Sequence, residues 1–460
     1  MTKLLNVLFI AAMINASYGM EKEEEKILST IQFNEESLDY KLAIATLRKD
    51  TKEIKQLFSE GANPYQLCSS ENGVLNAVYL ALDPSNSKAL QLFLQHPNTK
   101  TEINKPVLYY NSPEKSLYAL HIAVVLSENT VRLLLDTKMM DVYILSNHGT
   151  ALGVALTEKK KGSAKLLLEH IDTVAKLGDH GEFFDKIINE PYLCKDYKPC
   201  DSQFCTEILP LLYKKGLSVN LQNVHKKNNT PLHEAIESIS LAMLRLQAFQ
   251  LTKSYLIVKG ESVILKATMP VFDSNKSEQP VEDHMKEAVK QQKSIIERGY
   301  QVISFLLNHH ADLEFRNNDN DTPLMLAASL GRSKVIEQII LTQKNDSFVD
   351  WDAVIAKANT PHKLLSNVEF NEEEVGREYA LVNLLKENNT KNAVELIQRY
   401  RTAKQNIMNK TNLSLETAYI NAQHAIAGFG QDYFPTKQEI ENKIKKLRNE
   451  NADEDKCVIA

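Results

Sequence analysis

The sequence predicts an all-α fold: a solenoid of about seven or eight degenerate helix-turn-helix units with one long insert. Three observations predict it. Paired short amphipathic segments recur along residues 36–400; two pairs open on nearly the same residues, Thr230-Pro231-Leu232-His233 and Thr322-Pro323-Leu324-Met325; and two neighbouring openings, at Leu120 and Leu152, stand 32 residues apart. That spacing falls inside the range of about 20 to 50 residues that marks repeat architectures.

With 43% hydrophobic and 25% charged residues and a net charge of −5, the chain has ample core material. It is neither disordered, collagenous nor strongly basic, and no nucleic-acid partner is expected. Glycine is scarce, at 15 of 460 residues, which argues against Gly-rich phosphate loops as the seat of any chemistry.

The first 19 residues read as a secretory signal. Lys3 supplies a positive n-region, and residues 4–14 are an apolar run well short of the roughly 20 needed to span a bilayer. Ser17-Tyr18-Gly19 puts small residues at −3 and −1, so cleavage is expected after Gly19. A charged linker, residues 20–35, follows, beginning Glu21-Lys22-Glu23-Glu24-Glu25-Lys26. No later stretch is long and apolar enough to cross a membrane.

From residue 36 the pairs follow in order. Tyr40-Lys41-Leu42-Ala43-Ile44-Ala45 precedes an apolar stretch at 54–58, and residues 72–82 precede 90–94. Ala119-Leu120-His121-Ile122-Ala123 precedes 131–135, and Thr150-Ala151-Leu152-Gly153-Val154-Ala155 precedes 164–168. A fifth pair, Phe183-Phe184 and residues 208–212, is split by a segment bearing Cys194, Cys200 and Cys205. The sixth opens at Thr230 and is split by the long insert, about residues 240–297. Within it, 241–251 has helical spacing, 255–258 and 263–267 have strand character around Lys259-Gly260, 273–281 has the composition of a polar loop, and 284–307 is helical again. The seventh opens at Thr322. After an irregular stretch, 346–376, a last pair at 379–385 and 393–397 is expected to close the stack, leaving 401–460 as a helical and polar tail.

At the two clear openings each residue has a physical role. Thr caps the first turn through its hydroxyl, and Pro fits the first helical position, where no amide donor is needed. Leu232 and Ala235, like Leu324 and Ala327, pack on the neighbouring pair. With the turns Glu60-Gly61-Ala62-Asn63-Pro64, Gly216-Leu217-Ser218-Val219-Asn220 and His310-Ala311-Asp312-Leu313-Glu314, these openings resemble the ankyrin repeat. Its unit opens T-P-L-H-x-A and closes on a turn of the Gly-Ala-Asp-x-Asn type.

The resemblance implies binding of another protein through a concave surface of loop tips and first helices, with no catalysis, metal or cofactor. It also implies that His233 supports a loop by hydrogen bonding; Met325 stands in its place in the next clear unit, which argues against shared chemistry. The tips expected to touch the partner are the polar stretches before the clear openings, with Asn220, Gln222, Arg316, Asn317, Asn318 and Asp319, together with Tyr65, Gln66 and Tyr143. A monomer is expected.

Cys194, Cys200 and Cys205 admit three readings: a loop-stapling disulfide favoured by export, thiols, or a metal site needing a fourth ligand such as His180 or Asp201. The last four residues, Cys457-Val458-Ile459-Ala460, have the form that a eukaryotic prenyltransferase reads, so Cys457 is either prenylated or unmodified. A signal peptide and a prenylation motif meet in one protein if it leaves a bacterium and enters a host cell, a combination similar to the ankyrin-repeat effectors of intracellular bacteria. Membrane association is expected only with that lipid. Two alternatives stay open: a periplasmic binding protein, or an enzyme with its site in residues 240–300. There the sequence offers only the loose acidic run Asp273, Glu278, Glu282, Asp283 and His284.

Overall fold

The computed structural model describes residues 37–70, 73–110, 116–188, 203–223, 226–248, 255–259, 262–266, 281–342, 349–360, 368–369, 377–410 and 415–430, with isolated positions between 436 and 446. The signal, the linker, Cys194, Cys200 and Cys457 lie outside them. The chain divides into two compact bodies, residues 1–218 and 219–460.

The N-terminal body holds five helix pairs: α1 Leu38–Arg48 with α2 Thr51–Ser59, α3 Ala77–Ala81 with α4 Ser87–Leu94, α5 Ala119–Leu126 with α6 Glu128–Asp136, α7 Ala151–Thr157 with α8 Lys161–His170, and α9 Phe183–Ile188 with α10 Gln203–Lys214. The second helices form one row, α2 on α4, α4 on α6, α6 on α8 and α8 on α10; among the first helices α1 packs on α3, and α7 on both α5 and α9. No pair could bury its apolar stripe alone. Stacking closes Leu42, Ile54, Phe93, Ile122, Leu134, Leu152, Leu167, Ile187 and Leu212 completely from solvent, each such burial stabilising by about 1.5–3 kcal/mol.

Between pairs the chain makes short fingers. β1 Cys68–Ser70, β2 Gly73–Leu75, β3 Pro106–Tyr110 and β4 Leu117–Tyr118 zip in that order into one antiparallel sheet, and β5 Leu145–Ser146 pairs with β6 Gly149–Thr150. These strands depart from the purely helical expectation, because segments of two to five residues are too short for alternation to register in the sequence.

The C-terminal body pairs α11 Pro231–Gln247 with α12 Val281–Asn308, and α13 Pro323–Ser329 with α14 Ser333–Thr342. It continues as α15 Trp351–Ala358, α16 Arg377–Lys410 and α17 Leu415–Ile426. Here α11 packs on α13 and α12 on α14, while α16 lies across α13, α14 and α15. Two expectations are corrected. The insert expected over about 240–297 is entered by both helices of the sixth pair: α11 runs to Gln247 and α12 begins at Val281. At its far end β7 Tyr255–Lys259 and β8 Ser262–Lys266 form an antiparallel hairpin, and β9 Val368–Glu369 joins β8 in parallel. The last pair, expected at 379–385 and 393–397, is instead part of one 34-residue helix. No glycine or proline stands between residues 386 and 392 to turn the chain, and Asn388 bonds back to the carbonyl of Leu384 within the helix.

The scarcity of glycine has a structural counterpart. Turns after the second helix of a pair place Gly61, Lys138, Gly216 and His310 in the left-handed region; turns between the helices of a pair place Lys49, Lys159 and Gly331 there. The bonding is shared: Ala62 N to Leu57 O, Leu217 N to Leu212 O and Ala311 N to Leu306 O are the same closure of a helix end. Lys and His therefore hold a conformation that costs a residue with a Cβ about 1–2 kcal/mol.

Candidate interaction surface

Helix openings are the fixed points from which the loops are hung. Thr230 and Thr322 share nearly identical backbone angles, φ −78° with ψ 163° and 161°, each followed by proline. Thr322 Oγ1 accepts from Met325 N at 3.3 Å, Thr150 Oγ1 from Gly153 N at 3.1 Å, Asn76 Oδ1 from Tyr79 N at 3.2 Å and Ser37 Oγ from Tyr40 N at 3.1 Å. The opening is thus one device with several residues in it.

The histidine of the motif joins one repeat to the next. His233 Nε2 lies 2.9 Å from the carbonyl of Asp321, while Nδ1 lies 3.3 Å from Thr230 N and 2.8 Å from Thr230 Oγ1. A carbonyl only accepts and an amide only donates, so the proton sits on Nε2 and the ring is neutral. Burial pushes its pKa down to about 4, partly offset by the bond to Asp321. His121 repeats the joint in the N-terminal body: Nε2 donates to Gly149 O at 3.0 Å, and burial again brings the pKa down to about 4. Its own helix, α5, opens on Tyr118, which has no short hydroxyl for Nδ1.

At the next opening the histidine position is Gly153, and a side chain from farther along the chain fills the space. Asp179 accepts from Thr150 N at 2.9 Å and Thr150 Oγ1 at 2.8 Å, and Lys186 pairs with it at 2.9 Å. A Cβ on Gly153 would stand 2.0 Å from Asp179 Oδ2.

Loop turns are joined as well. Asn104 Oδ1 accepts from Asp141 N at 2.9 Å in one body, and Asn220 Oδ1 from Asp312 N at 2.7 Å in the other. Asp141 and Asp312 in turn accept from the amides two residues on, Tyr143 and Glu314. In the C-terminal body a second set of contacts ties the finger at 226–229 to residues 317–321, about ninety positions away: Lys227 Nζ to Asp319 at 3.0 Å, Asn228 Nδ2 to Asn318 Oδ1 at 2.8 Å, Asn318 N to Lys227 O at 2.8 Å and Asn317 Nδ2 to Asn229 Oδ1 at 2.9 Å.

This bonding sorts the residues expected to touch a partner. Tyr65 is corrected outright: it is 5% exposed, its hydroxyl donates to Thr99 Oγ1 at 2.9 Å, and burial pushes its pKa up to about 12. Asn317 is corrected likewise, being 6% exposed with its Oδ1 accepting from Asp319 N and Asp321 N. Asn220, Gln222 and Asp319 are half-buried and hold loops; Gln222 Nε2 donates to Asn228 O at 3.3 Å. Tyr143 is half-buried, with its hydroxyl accepting from Asp172 N and Lys176 Nζ 5.7 Å from the ring centre. Gln66, Arg316 and Asn318 are exposed; Arg316 Nη1 donates to Asn320 O at 2.9 Å, which holds its guanidinium on its own loop.

Sequence reasoning missed Leu67 and Leu145, large apolar side chains exposed beside finger strands, Leu145 to 54%. An apolar residue next to a turn was the available signal. Of the cysteine cluster only Cys205 is described: it is fully buried on α10, facing the core with Phe204. Among the described residues no group of three or more His, Cys, Asp and Glu side chains converges as metal ligands would.

Stacked helix pairs, fingers between them and a threonine–histidine opening that bonds the following loop make this an architecture of the ankyrin-repeat kind. No family model matches the sequence, and no curated protein matches it. Among solved structures the chain is similar to the ankyrin repeat domain of Bcl-3, described as a unique member of the IkappaB protein family: 18% identity over 65% of this chain and 97% of that chain, with a TM-score of 0.37.

Proposed function

We propose that the chain is a non-enzymatic array that holds another protein on its finger tips and first helices, and that it is exported to do so, with a host-cell protein as the partner. The observation that carries the reading is the bonding between successive loops. Imidazoles, Asx side chains and the Lys227–Asp319 pair fix the tips before any partner arrives, which lowers the ordering cost that a loop-borne surface otherwise meets on binding. On those held tips stand Gln66, Leu67 and Leu145 in one body and Arg316 and Asn318 in the other. An exposed arginine on a rigid tip is the kind of group that anchors an interface, and an exposed leucine adds apolar area to bury around it.

Export rests on residues 1–19, and prenylation of Cys457 is a proposal on the closing Cys-Val-Ile-Ala alone. An exported product that begins at Met20 supports the first; unchanged membrane partitioning of Cys457→Ser in host cells removes the second.

The binding reading is tested by affinity capture from host lysate with wild type, Leu145→Asp and Arg316→Glu, keeping only preparations whose unfolding midpoint matches wild type. Both variants are expected to lose at least about tenfold in capture of the same partner, about 1.4 kcal/mol. Undiminished capture by both would move the site off the tips.

A further inference from the structure

The C-terminal helical hairpin of α16 and α17 differs from the rest of the chain in charge and in surface. Residues 377–430 carry seven basic side chains against four acidic ones, a net of +3 within a chain whose total is −5. They also carry Met408, Ile420 and Phe429, exposed to 46%, 44% and 55%. Met408 and Ile420 flank the connection between the two helices. Arg401, Lys404 and Met408, spaced i, i+3 and i+7, lie along one face of α16.

At the other end the chain is held for display. Glu337 accepts from the backbone amides of Gly428 and, at 3.2 Å, Gly430; any Cβ on Gly430 would stand 2.4 Å from that carboxylate. Phe429, between them, is turned outward with the guanidinium of Arg399 stacked 3.9 Å from its ring centre. An outward aromatic ring under a guanidinium at one end of the hairpin, with exposed aliphatic side chains toward the other and an excess of cations along it, matches the boundary of a bilayer, where rings and aliphatic chains enter the acyl edge and cations meet phosphates. Among the described residues no helix is long and apolar enough to cross a membrane, so the contact is with the surface.

We propose that the α16–α17 hairpin docks on an anionic lipid surface, with Phe429, Ile420 and Met408 entering the interface and Arg399 and Lys404 facing the headgroups, while Arg401 is held by Asp352 at 2.7 Å. Docking needs no lipid on Cys457, and it uses a different part of the chain from the finger tips.

The test is co-sedimentation of the full chain, prepared without lipid on Cys457, with vesicles of phosphatidylcholine alone and of phosphatidylcholine mixed with phosphatidylserine. Binding is expected to the mixed vesicles only and to weaken as salt screens the headgroups. The exposed triple variant Phe429→Ser, Ile420→Ser, Met408→Ser should bind at least about tenfold more weakly. Emission of Trp351, the single tryptophan, reports whether this body remains folded. Absence of binding to either vesicle, or equal binding by a folded triple variant, overturns the proposal. Equal retention of wild type by immobilised polyglutamate, undisturbed by the triple variant, also overturns it and points to an acidic protein instead.

Discussion

Two joints between neighbouring repeats do the same job with different chemistry. In the C-terminal body a neutral imidazole, His233, spans from Thr230 to the carbonyl of Asp321. In the N-terminal body the same position is Gly153, and the space is filled by Asp179, which bonds Thr150 and is paired with Lys186. The repeat conserves a geometry, a capped helix start tied to the following loop, rather than a residue. The two solutions differ in how they fail: an imidazole is lost to acid, whereas an ion pair leaves a buried charge when one member is removed.

The largest effect is expected at the ion pair. Asp179→Ala leaves Lys186 only the half-exposed Glu182, at 3.2 Å, and takes the acceptor of the buried Thr150 N and Oγ1, and should lower unfolding free energy in urea by about 3–5 kcal/mol. Gly153→His writes the histidine of the Thr230 opening into this repeat yet should destabilise by about 1–3 kcal/mol, because its Cβ meets Asp179. Stabilisation by that substitution would show that the glycine is mere decay.

Acid separates the joints next. His233 and His121 have folded pKa values of about 4, below the 6.5 of the unfolded chain. Both rings are neutral in both states above pH 6.5, so nothing changes there. Between 6.5 and 4 the unfolded chain takes up protons first and stability falls, by about 3 kcal/mol per ring in full. Thermal melts from pH 7 to 4 should show the loss, and His233→Gln should remove one ring's share of the slope. At neutral pH His233→Ala removes one of the two donors to the Asp321 carbonyl, Asn317 N being the other, and takes the acceptor of the buried Thr230 N, which should cost about 1–3 kcal/mol.

The smallest effect runs the other way. His310 and Lys138 hold left-handed turns that Gly61 and Gly216 hold elsewhere. Relief of about 1–2 kcal/mol of strain exceeds the 0.4–1 that glycine adds to the unfolded chain, so His310→Gly or Lys138→Gly should stabilise by roughly 0.5–1 kcal/mol in urea.

What could be read in the sequence was what local chemistry decides. Thr-Pro-Leu-His fixes a cap, a first turn and a packing face within four residues, whereas the role expected of His233 comes with the resemblance those residues carry. Tyr65 could not be placed, since the partner of its hydroxyl, Thr99, is 34 residues away and no local pattern announces it. Asp179 and Lys186 were invisible for the same reason: their purpose is a hole made by Gly153. The last helix misled because two apolar clusters separated by Lys386-Glu387-Asn388-Asn389-Thr390 read as a turn, although nothing there forces one. Polarity alone marks Asn317 and Asp319 as tips; the structure turns them inward, onto another loop.

The central claim is that pre-fixed finger tips hold the partner. Hydrogen exchange on the chain alone and with its captured partner tests it most directly. The account predicts added protection at residues 66–67, 145–149 and 316–320, with the second-helix rows α2 to α10 unchanged. Protection confined to those rows, with the fingers exchanging as before, would contradict it.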